Sequence, residues 1–157
     1  MRPMLERLFP KHADNAYHGS RLALWLFPLL VFLKTTISLN SIFNGGEVAR
    51  GADGIPLDSF TPDGARMVIT QFALWGLSQF MICLLCVVIL ARYRALVPLM
   101  FTVLLVEHLS RKLILQVMPI VRTGHPPGVY VNLSLLVLMV AGLTLSVWSR
   151  PRLPAGA

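Results

Sequence analysis

Long apolar runs alternate with short polar breaks along this chain, and the runs lie at residues 22–43, 67–91, 95–121 and 129–148. A helix rising 1.5 Å per residue needs roughly 20 such residues to cross a bilayer core of about 30 Å, so each run predicts a membrane span. The second has a marked start: Thr61 is a capping residue, Pro62 suits the first helical position, and Asp63 falls in the electropositive first turn. The third run divides into apolar stretches 96–106 and 113–121, each too short to cross alone. No Gly or Pro separates them, so a continuous helix is expected rather than a re-entrant break.

The breaks between runs set the topology. Residues 92–94 barely turn the chain, and 122–128 hold Gly124, Pro126, Pro127 and Gly128, so both connections predict adjacent antiparallel helices. The 44–66 connection is long, with turn signals at Asp53-Gly54 and Pro62-Asp63-Gly64, and is placed to fold over the outer mouth as a lid. The expected fold is all-α: an integral membrane four-helix up-down bundle forming a single domain over 1–157, with tails at 1–21 and 149–157. The first tail carries a short amphipathic piece, Met4, Leu5, Leu8 and Phe9 beside Arg2, Arg7 and Lys11, suited to an anionic interface. The first apolar run exceeds the roughly 7–15 residues of a signal-peptide core, and no small-x-small site follows, so it is expected to be retained.

Composition agrees with a membrane chain. Only 13% of the 157 residues are charged and 55% are hydrophobic, against roughly 25% charged in soluble domains. In a soluble protein the net charge of +7 would suggest nucleic acid. Here no nucleic-acid partner is expected, because the basic residues report orientation. Arg2, Arg7, Lys11, Arg21, Arg92, Arg94, Arg150 and Arg152 collect at one set of span ends, against Arg50, Arg66 and Arg122 at the other. Both termini are therefore expected on the cytoplasmic side of a bacterial-type inner membrane. The bilayer is the expected partner, and the charge-free fourth run invites a larger membrane protein or a second copy of this chain.

An ionisable group near the bilayer centre costs on the order of 2.5–3.5 kcal/mol, so such groups usually face the bundle interior or a water-filled cavity. Lys34 interrupts the first run, and Glu107, His108, Arg111 and Lys112 interrupt the third. In an up-down arrangement Gln71 and Gln79 of the second run bracket the same layer. Glu107 and Arg111 are four residues apart on one helical face, as an ion pair requires, and His108 and Lys112 repeat that spacing alongside. Lys34, Ser38 and Ser41 share a face, as do Gln71, Trp75 and Ser78. The candidate ligand-binding or buried-charge cluster is thus Lys34, Gln71, Gln79, Glu107, His108, Arg111 and Lys112. Its positive excess calls for an anion, an acidic loop or a deprotonated lysine.

No complete catalytic set or metal motif is present, and no cofactor is expected. Cys83-Leu84-Leu85-Cys86 has C-x-x-C spacing but lies mid-run without a nearby basic residue, as packing cysteines do. Only His108 lies in a span, so no bis-histidine haem is expected, and Asp53, Asp58 and Asp63 lack a calcium-loop pattern. The outline is similar to that of thiol-oxidising quinone reductases and vitamin K epoxide reductase-like proteins, which need cysteines at the membrane exterior that this chain lacks. The leading expectation is a non-enzymatic accessory or scaffold subunit in which the charged cluster fixes helix packing. The alternative is a binding protein or carrier for an anionic or amphipathic molecule, using Lys34, Glu107 and Arg111 with Gln71, Gln79 and Asn132 to orient it. A membrane enzyme using Glu107 and His108 as acid and base is the third.

Overall fold

The structure, a computed structural model, describes residues 8–10, 13–17 and 19–148. The 149–157 tail and most of the expected amphipathic N-terminal piece lie outside them. The described residues form helices and irregular segments without a strand. The long helices are α1 (Arg21–Phe43), α2 (Pro62–Arg92), α3 (Val97–Val117) and α4 (Gly128–Val147).

Local chemistry sets the helix ends. The Ser20 hydroxyl accepts a hydrogen bond from the Leu22 N–H at 3.2 Å and opens α1. Thr61 caps α2 by accepting from the Gly64 N–H at 3.2 Å, with Pro62 and Asp63 in the expected first turn. Helix α3 stops at Val117, short of the expected 121. Met118 precedes Pro119, whose ring disfavours the α conformation for the residue before it, so the apolar 119–121 stretch extends the hydrophobic run but not the helix.

Three of these helices, α1, α2 and α4, are long and apolar enough to cross a membrane. Helix α3 has the length but carries Glu107, Arg111 and Lys112 together, which removes it from that set. Large apolar side chains face outward on every long helix, among them Trp25 and Phe32, Met81 and Leu85, Val106 and Leu113, and Val137. So much exposed apolar surface is what lipid, and not water, accommodates.

Helix α1 packs along α2 and along α4, and α3 packs on α4. Gly76 permits the first contact: a Cβ there would lie 2.8 Å from the Ser38 carbonyl oxygen and 3.0 Å from the Ser41 Cβ. Across the middle, the Phe27 and Phe101 rings meet edge to face at 5.1 Å, in a core with Leu30, Leu104 and Met139. The 92–94 turn does not produce the expected close pair. Helices α2 and α3 approach only locally because each lies against a different partner, and a gap opens between them.

Loop contacts tie the helix ends together. At one end the Ser20 N–H donates to the Leu145 carbonyl and the Ala95 N–H to the Asp14 carbonyl, both at 3.2 Å. At the other end, Ala49, Ile55 and Leu57 form a small core on Val68, Ile69 and Phe72. Gly54, with φ of +69°, turns its carbonyl toward Thr123, whose N–H and hydroxyl donate to it at 2.8 and 3.1 Å. Gly128 opens α4 where a Cβ would lie 3.0 Å from Asp53 Oδ1. The 44–61 segment is thereby clasped across the α3–α4 connection.

Candidate functional site

Helix geometry sends the charges of α3 in different directions. Glu107 faces α1, where its Oε2 accepts a hydrogen bond from Lys34 Nζ at 3.0 Å. Lys34 is 5% exposed and Glu107 22% exposed, so the pair is largely buried. It joins the two helices whose backbones are mostly held apart by the core. Ser38 and Ser41, on the Lys34 face as the spacing predicts, are also buried and return their hydroxyls to the carbonyls of Lys34 and Ile37 at 2.7 and 3.0 Å.

Arg111, one turn further on, does not pair with Glu107. Its guanidinium lies over the Trp75 ring of α2, 4.6 Å from the centroid, and donates to Asn132 Oδ1 of α4 at 3.2 Å. His108 Nδ1 lies 3.4 Å from the same guanidinium nitrogen, and the tautomer that accepts there carries its proton on Nε2. Three helices thus hold one cation. Among the described residues no carboxylate lies within salt-bridge distance of it.

This cation borders a cavity of about 650 Å³ in the gap between α2, α3 and α4, a volume typical of small-molecule sites at roughly 300–1,000 Å³. Its polar lining comprises Gln71, His108, Arg111, Lys112, Gln116 and Asn132 from the helices, with Asp53 and Arg122 from the loops. Phe72, Trp75, Leu115, Leu133 and Leu136 supply much of the remaining wall. Burial pushes the Asp53 carboxyl above the usual carboxylate range, while the positive charges of Arg122 and Arg111 pull it back. Of the acidic residues in the 44–66 loop, Asp53 is the one that lines the cavity.

The predicted cluster separates into two. Gln71, His108, Arg111 and Lys112 line the cavity, with Gln71 and Lys112 largely exposed. Lys34, Glu107 and Gln79 do not line it. Gln79 is 3% exposed, and its Oε1 has no hydrogen-bond partner among the described residues. Glu107 and His108, the candidate acid and base, turn to different partners. Asp53 and Arg122 belong to the site although their positions suggested only a turn and a topology signal; their opposite charges in the two loops of one side are the signal that brings them together. Comparison with protein-family models, with curated proteins and with solved structures finds no match.

Proposed function

We propose that this protein is a small four-span membrane protein that binds an anionic, amphipathic small molecule in the cavity between α2, α3 and α4. The observation that carries this reading is Arg111: a guanidinium held by Trp75 and Asn132, aimed at a cavity, with no salt-bridge partner among the described residues. A cation needed only for helix register would be matched by a carboxylate, as Lys34 is by Glu107. The walls are mostly apolar, and Arg111 and Arg122 act together on Asp53, so the lining joins a charged patch to apolar surface, as in sites for molecules with a charged head and a hydrocarbon body. Lys34 and Glu107 then serve as an internal strut.

In this reading α3 is the remaining span, made compatible with the bilayer because Glu107 and His108 turn inward and Arg111 and Lys112 face the cavity. The contacts that join the start of α1 to the end of α4, and residues 52–54 to the α3–α4 connection, support an up-down arrangement. Both termini are cytoplasmic in an inner membrane, as the basic residues indicate. The test is purification in mild detergent and mass spectrometry of retained small molecules. The wild type is expected to carry an anionic amphiphile that Arg111→Gln loses while Lys34→Met/Glu107→Leu keeps it. A stoichiometric protein partner with no retained small molecule would instead favour the accessory-subunit reading.

A further inference from the structure

Resting on that binding reading, we infer that the ligand is a lipid ending in a phosphate monoester, its head held by Arg111, Lys112 and Arg122. These cations line the cavity against a single carboxylate, Asp53, which leaves two positive charges in excess when it is ionised. A phosphate monoester carries close to two negative charges near neutral pH and offers three strong acceptor oxygens. A phosphodiester or a carboxylate carries only one charge, so it leaves part of the excess uncompensated. Arg111 is suited to a phosphate head because Trp75 holds the plane of its guanidinium and Asn132 takes one donor, leaving other N–H groups for the ligand.

The apolar part of the cavity accounts for the lipid. The volume of about 650 Å³ exceeds what a phosphate group fills. Ile120, Val129 and Leu133 are at once lining residues and outwardly exposed apolar side chains. The cavity is therefore continuous with the apolar outer surface of the helices, and a hydrocarbon chain can leave by that side while the head remains beside the cations. A soluble phosphate compound would have no use for such a rim.

The experiment measures thermal stabilisation of the detergent-purified full-length protein by added probes, with binding stoichiometry followed by native mass spectrometry. The probes are dioleoyl phosphatidic acid, dioleoyl phosphatidylglycerol, oleate and inorganic phosphate. Phosphatidic acid is expected to bind at least tenfold more tightly than phosphatidylglycerol or oleate, and inorganic phosphate to be weaker by a larger factor. Arg111→Gln and Lys112→Gln should each remove most of that preference, and Lys34→Met/Glu107→Leu should retain it. Equal binding of phosphatidylglycerol or oleate would overturn the monoester assignment and leave the anionic-amphiphile reading standing. Inorganic phosphate binding as tightly as phosphatidic acid would overturn the lipid assignment. No binding by any probe, in protein shown to be folded by its cooperative melt, would overturn both.

Discussion

Lys34 and Arg111 are both cations within predicted spans, yet their surroundings differ in kind. Lys34 is buried among packed side chains and meets the Glu107 carboxylate at 3.0 Å. Arg111 borders a cavity and is held by an aromatic face and an amide oxygen. A buried charge removed from its partner is left uncompensated in a low-dielectric interior, whereas a cation facing open space can be satisfied by solvent or a ligand. The first arrangement resists change and the second leaves room for binding.

The strongest way to break this contrast is at the closed pair. Lys34→Met or Glu107→Ala alone should destabilise the detergent-solubilised protein by about 3–5 kcal/mol, and the double change Lys34→Met/Glu107→Leu should recover most of the loss. Thermal melts of the three variants check this. Single variants that melt like the wild type would show that the pair contributes little. On the same closed side, Gly76→Ala forces a Cβ against the Ser38 carbonyl and should cost about 1–3 kcal/mol through the α1–α2 contact.

The open side should respond less in stability and more in binding. Gly54→Ala must hold φ near +69° without glycine's freedom, at a cost of about 1–2 kcal/mol. Hydrogen exchange should quicken across 48–60 while the α1–α2 contact stays protected. Arg111→Gln should lower the ligand-free melting free energy by about 1–2 kcal/mol, through loss of the Trp75 and Asn132 contacts but with no salt bridge broken. A loss comparable with that of Glu107→Ala would erase the distinction between the two sites.

Asp53 should have the smallest effect, and it depends on pH. Its folded-state carboxyl titrates above the ordinary value, so folding favours the protonated form, and Asp53 costs stability as pH rises through its folded range. Asp53→Asn removes that cost. Its melting temperature should lie slightly above the wild type at neutral pH and converge with it in acid. A melting temperature below the wild type at neutral pH would mean that the attraction of Arg122 and Arg111 outweighs the burial.

Much of this architecture was legible in the order of residues. Hydrophobic run length is a local property, so the positions of α1, α2 and α4 follow from it, and the Thr61-Pro62-Asp63 start of α2 follows from capping chemistry. The periodicity of a helix likewise put Lys34 with Ser38 and Ser41 on one face, the face that is buried. Hydrophobicity misled at 118–121, where Pro119 ends α3 inside an apolar run.

Which charge meets which was not a local matter. Spacing made Glu107–Arg111 as reasonable a pair as Glu107–Lys34, because residues four apart share a helical face whatever lies opposite. Only the packing of α1 against α2 and α4 carried Lys34 to Glu107, and only the separation of α2 from α3 left Arg111 beside a cavity with Trp75, Asn132 and the distant Asp53 and Arg122. The sequence by itself determined the helices and the faces on which their polar groups stand. The choice of partners was decided by tertiary structure, because it depends on distances between segments far apart in the chain.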